Sequence, residues 1–144
     1  NEGSTYRFRV RALNIHGWSE TSEWATVLAA DVPGVVASTT ILLVDESQVQ
    51  LAWQAPAANG SPVDAYRIEI MSSTGAYVSE ETYCGGAGAS TIVADATCTL
   101  PMSAFAAAPL LLAQGSEILY RVTAGNAVGF SATASGAQTG SVTV

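Results

Sequence analysis

The sequence has no lysine. Its five cations are all arginine (Arg7, Arg9, Arg11, Arg67 and Arg121), and they face twelve carboxylates for a net charge of −7. Charged residues make up only 12% of the chain, about half the ~25% usual for a globular protein. This scarcity of cations argues against nucleic acid as a partner, since phosphate backbones are held by clustered Lys and Arg. A single histidine, His16, excludes multi-histidine metal sites and weakens any case for a histidine-based triad; a surface turn residue is the simpler reading. No apolar run approaches the ~20 residues needed for a membrane-spanning helix. No Asp-x-Asp-x-Asp run offers a calcium loop, so Asp45, Glu46, Glu80, Glu81 and Asp95 read as solvated loop carboxylates. The glycine-rich stretch Gly85-Gly86-Ala87-Gly88-Ala89 lacks the Lys-Ser/Thr of a phosphate loop and reads as flexible. Nothing in the chain is catalytic by motif, and no cofactor or metal is expected.

There are two cysteines, Cys84 and Cys98. They match neither a four-ligand zinc pattern nor C-x-x-C. A disulfide is the economical reading and implies an oxidising compartment; two buried free thiols are the alternative. Low charge with abundant Ser, Thr, Ala and Gly suits an extracellular or cell-surface setting. The one sequon, Asn59-Gly60-Ser61, reads first as a turn and second as a candidate N-glycosylation site.

What is present is a repeat. Residues 3–19 run Gly-Ser-Thr-Tyr-Arg-Phe-Arg-Val-Arg-Ala-Leu-Asn-Ile-His-Gly-Trp-Ser. Residues 115–131 run Gly-Ser-Glu-Ile-Leu-Tyr-Arg-Val-Thr-Ala-Gly-Asn-Ala-Val-Gly-Phe-Ser. Gly3 maps onto Gly115, Asn14 onto Asn126, Gly17 onto Gly129 and Ser19 onto Ser131, at a constant spacing of 112 residues. Asp31-Val32-Pro33-Gly34 reads as the linker between units.

Period-2 alternation dominates and helical periodicity is not evident. Tyr6, Phe8, Val10 and Ala12 fall on one face of the first strand and the three arginines on the other. Val49, Leu51 and Trp53 form the next inward set, followed by Tyr66, Ile68 and Ile70, and by Ile118, Tyr120, Val122 and Ala124. From these sets, Tyr6, Phe8, Trp53, Tyr66 and Tyr120 are the expected aromatic core. Turn signals separate the strands. The pattern reads as an all-β antiparallel sandwich, with an irregular crossover, including room for a short helical turn, between Met102 and Ala113.

Several pieces together resemble the fibronectin type III family. They are Val32-Pro33-Gly34 at the start of a module and Leu51-Ala52-Trp53-Gln54-Ala55-Pro56 as the second strand with its core tryptophan. They also include Gly60-Ser61-Pro62-Val63-Asp64-Ala65-Tyr66-Arg67-Ile68 before the third strand, and Ala-x-Asn-x-x-Gly-x-Ser at both 12–19 and 124–131. The resemblance implies a fibronectin type III or immunoglobulin-like antiparallel β-sandwich. It also implies that residues 1–31 are the final hairpin of a preceding module and residues 32–144 one complete module. That module departs from the family in its length, its cysteine pair, and Ile118 where Tyr6 stands in the hairpin. The cysteine pair is similar to modules of large surface proteins of protists. There is no Arg-Gly-Asp, so integrin-type adhesion is not implied.

Arg7, Arg9 and Arg11 share a sheet face, and Trp18 and Trp24 follow on the next strand. A stacked arginine–tryptophan ladder is therefore expected, with scattered surface residues and a partner-binding patch as the alternatives. The strand at residues 132–144 lacks the lysines that guard sheet edges, which suggests a covered edge. The functional expectation is a non-catalytic structural or adhesive segment of an extracellular tandem-repeat protein. Its partners would be neighbouring modules of the same chain or like subunits in a filament, without membrane insertion. The alternatives are a ligand-recognition ectodomain and an accessory module of a secreted enzyme.

Overall fold

The computed structural model describes residues 1–85, 89–132 and 138–143. The chain begins with an irregular two-stranded ribbon. Strand β1 (Thr5–Phe8) pairs antiparallel with β4 (Ala25–Leu28), and β2 (Leu13–Asn14) with β3 (Gly17–Trp18). Between these segments two serines complete the ribbon. The Ala12 and Val10 N–H groups donate to the hydroxyls of Ser19 (2.9 Å) and Ser22 (3.0 Å). The N–H groups of Ser19 and Ser22 donate back to the carbonyls of Ala12 and Val10, each at 2.8 Å.

Two sheets follow. The first is β5 (Thr39–Asp45), β6 (Gln48–Trp53) and β9 (Thr97–Pro101), in the order β5-β6-β9. The second is β7 (Ala65–Met71), β8 (Tyr77–Ser79), β10 (Glu117–Gly125) and β11 (Gln138–Thr143), in the order β11-β10-β7-β8. All pairings are antiparallel. Alternation along β6, β7 and β10 sends one set of side chains into a common core. Val49, Leu51 and Leu100 of the first sheet enter it with Ile68, Ile70, Ile118 and Tyr120 of the second, and each is at most 1% exposed. Trp53 is buried and meets the half-buried Tyr66 edge-on, with ring centroids 5.0 Å apart.

Two short helices interrupt the strand pattern. Helix α2 (Met102–Ala106) lies in the crossover and sends Phe105 into the core. Helix α1 (Ala89–Asp95) stands in the enlarged region before β9. It is under two turns long and buries Ile92, too short a segment to show a 3.6-residue repeat. Cys84 and Cys98 are bonded as a disulfide that ties the segment before α1 to β9. Residues 86–88 of the glycine-rich loop lie outside the described residues, as do residues 133–137 of the expected small-residue edge.

The expectation of a buried aromatic face on the first strand is corrected. Tyr6 is 43% exposed, Phe8 55% and Val10 72%, whereas their counterparts at the 112-residue spacing, Ile118, Tyr120 and Val122, are 0%, 0% and 2% exposed. The alternation exists in both places, but among the described residues no second sheet lies over the ribbon. Burial requires a facing layer as well as a patterned strand.

Candidate functional site

Two features concentrate chemistry: the outer face of the ribbon and the joint where the ribbon meets the sandwich. On the ribbon, the Arg11 guanidinium carbon lies 4.2 Å from the Trp18 ring centroid. Arg9 lies 4.7 Å and Arg7 6.0 Å from the ring of Trp24. The strand positions bring all five side chains onto one surface, where guanidinium planes meet the negative faces of the indoles. Among the described residues no carboxylate forms an ion pair with these three arginines, whereas Arg121 pairs with Glu69 at 2.7 Å. That bond holds the Arg121 pKa above its ordinary value, and Arg121 also stacks on Tyr77 at 4.1 Å.

At the joint, the loop at residues 57–61 lies along the linker at 31–34. Asn59 grips it from both sides. Its carbonyl accepts from the Asp31 N–H at 2.9 Å, and its side-chain Nδ2 donates to the Val32 carbonyl at 2.8 Å. The Gly34 N–H donates to the Ala57 carbonyl at 2.8 Å. Asn126, only 8% exposed, is the hub. Its Nδ2 donates to the carbonyls of Asp31 (2.8 Å), Ala58 (3.2 Å) and Ser61 (3.2 Å). Its Oδ1 meanwhile accepts from the N–H groups of Val128 and Gly129 in its own turn. Gly60, at φ +85°, packs against the base of the ribbon. A Cβ there would stand 2.5 Å from the Gly3 nitrogen and 2.7 Å from the Ala29 carbonyl oxygen, so the close approach requires glycine. The sequon asparagine thus has its amide nitrogen committed to the linker.

The remaining candidates have local roles. His16 is exposed, and its N–H donates to Asn14 Oδ1 at 2.8 Å. Asp45 accepts from the hydroxyl and N–H of Ser47, and these bonds hold its pKa below the ordinary carboxylate value. Glu80 accepts from the N–H groups of Thr82 and Tyr83. Among the described residues no group of three potential ligands is arranged to hold a metal ion. Tyr120 donates its hydroxyl to the Thr40 carbonyl at 2.7 Å, bridging the two sheets, and burial raises its pKa. Sequence reasoning missed this bridge. It also missed the ladder-completing roles of Ser19 and Ser22 and the joint roles of Asn126 and Gly60. The legible signal was the recurrence of Asn and Ser at the repeat spacing.

No protein-family model matches the sequence. Among solved structures, the chain is similar to domains A168–A170 of titin, with 21% identity over 88% of this chain and 37% of that one and a TM-score of 0.54. It is similar to domains d3–d4 of the extracellular region of rat CD45, with 13% identity over 96% and 64% and a TM-score of 0.52. A two-domain fibronectin type III segment of chicken tenascin matches at 15% identity over 94% and 64%, with a TM-score of 0.50. The chain spans less than two thirds of the length of each. The paired sheets β5-β6-β9 and β11-β10-β7-β8, taken with these matches, give the chain the fibronectin type III and immunoglobulin-like β-sandwich fold.

Proposed function

We propose that the chain is a non-catalytic segment of an extracellular tandem-repeat protein, with residues 1–31 closing one module and residues 32–144 forming the next. The observation that carries this reading is the uncovered face of Tyr6, Phe8 and Val10. Its counterpart at the 112-residue spacing is buried by the β5-β6-β9 sheet. The occupant that fits the ribbon is therefore the equivalent three-stranded sheet of a preceding like unit, since a two-stranded ribbon alone is marginally stable. The hydrogen-bonded joint at Asn59 and Asn126 supports a spacing role, because it ties the segment that follows the ribbon to the sandwich. The disulfide supports an oxidising, extracellular setting.

The test is the intact mass of the native, non-reduced mature protein, followed by peptide mapping. A mass far above 14.7 kDa, with peptides from further units of this repeat, is the expected result. A native mass near 14.7 kDa would overturn the tandem reading. A second reading, a ligand-recognition ectodomain, is favoured by one observation: among the described residues, the exposed Arg7, Arg9 and Arg11 face carries no paired carboxylate. A stoichiometric partner of a different sequence, lost on substituting these arginines, would select it.

A further inference from the structure

The turn that forms the Gly3 side of the ribbon base under Gly60 has a second copy in the molecule, and among the described residues that copy is open. At the first, the Ser4 N–H donates to the Asn1 carbonyl (3.2 Å), and Gly3 sits in the left-handed region at φ +76°, 3.5 Å from the Gly60 carbonyl oxygen as measured from an added Cβ. At the second, the Ser116 N–H donates to the Ala113 carbonyl (3.0 Å), and Gly115 sits at φ +85° with none of the described residues within 4 Å of the same position. Asn1 corresponds to Ala113, Gly3 to Gly115 and Ser4 to Ser116 at the repeat spacing, so the same turn is built twice and covered once. Gly115 is exposed.

We infer that the turn at residues 113–116 is a docking surface for the Asn-Gly loop (residues 58–61) of a following like unit, an inference that rests on the tandem reading above. Complementarity argues for this occupant: the turn has the backbone shape that Gly60 meets at Gly3. The loop carries no charge, as a contact made through backbone requires. The surface is confined to the turn. In the adjacent ribbon Tyr6 pairs with Val27, whereas in the sandwich Ile118 pairs with Gly140, one residue beyond the equivalent position. The strand at residues 138–143 is therefore not included in the surface.

The experiment extends the full chain in register. Val32 corresponds to Val144 at the 112-residue spacing, so residues 33–144 appended after Val144 continue the repeat. Amide resonances of Gly115 and Ser116 are then compared in the original and extended proteins. Docking predicts that both move toward the positions of Gly3 and Ser4 on extension. They should return when Gly60→Ala is introduced in the appended unit only. Asn59→Ala in that unit, which keeps the glycine and frees the linker, provides the same readout should the first variant fail to fold. Resonances that stay in place on extension overturn the docking, as do resonances that move equally with and without the substitutions. Either result leaves the tandem reading standing, because that reading is decided by the native mass.

Discussion

The same strand-turn-strand pattern is written twice in this chain, at residues 3–19 and 115–131, and its two copies meet different surroundings. Their turns agree closely. The Ala12 N–H donates to Ser19 Oγ at 2.9 Å, and the Ala124 N–H to Ser131 Oγ at 3.2 Å. Asn14 Oδ1 accepts from the residue two positions on, and so does Asn126 Oδ1. Leu13 pairs with Trp18 as Gly125 pairs with Phe130. An arginine stacks on the aromatic in both, Arg11 on Trp18 at 4.2 Å and Arg67 on Phe130 at 4.3 Å. Yet the inward face is buried in one copy and open in the other. Turn chemistry and strand pairing are local properties that travel with the sequence, whereas a core belongs to two layers at once.

Deletion of the same ring from each copy sharpens the contrast most. Tyr120→Ala removes a fully buried ring and the bond to the Thr40 carbonyl. It is expected to cost about 3–5 kcal/mol, the range for aromatic truncation in a core. Phe8→Ala at the equivalent position is expected to change stability by no more than about 0.5 kcal/mol, as for other surface substitutions. Urea unfolding of the isolated chain measures both. Comparable losses at the two positions would mean the ribbon face is covered in solution.

The second contrast lies at the asparagines. Asn126→Ala removes the amide that three carbonyls at the joint share, of which only that of Ala58 keeps another N–H, from Ser61, and is expected to cost about 1–3 kcal/mol. It should also raise the hydrogen exchange of the Asp31 amide, whose bond to Asn59 depends on the same loop. Asn14→Ala loses only an exposed bond to the His16 N–H and should have less effect. An Asn126→Ala variant with wild-type stability and an unchanged Asp31 amide would show that the linker is held by Asn59 alone.

This contrast also explains what the sequence could and could not reveal. The alternation of β6, β7 and β10, the core role of Trp53 and the repeat spacing are properties of short windows, and each was legible there. The exposure of Tyr6 and Phe8 was not, because their pattern matches that of a buried strand and whether a facing layer covers it is a matter of context. Asn59 read as a turn residue, which it is, at φ +52°. Its grip on the linker joins positions 27 residues apart, a separation that no local pattern encodes. Helix α1 escaped for the opposite reason, since a segment that short presents too little periodicity to be seen.

The finest test of the comparison lies on the outer face of the ribbon, where the stacking is graded. An exposed guanidinium–indole contact contributes about 0.5–1 kcal/mol, too little to separate by unfolding a chain whose cooperative core lies elsewhere. Geometry offers a cleaner readout, because ring-current shielding falls steeply with distance. With separations of 4.2 Å for Arg11, 4.7 Å for Arg9 and 6.0 Å for Arg7, the Hδ protons of Arg11 and Arg9 should resonate upfield of those of Arg7. Trp24→Ala should abolish the shielding at Arg9 while leaving Arg11 in place. Arg11→Lys keeps the charge but loses the planar guanidinium positioned over the ring, so it should shift the Trp18 indole resonances despite an unchanged net charge. Equal shifts at all three arginines would mean that the ladder does not persist without a covering layer. The ribbon would then depend on a facing layer for the order of its outer face as well as for the burial of its inner one.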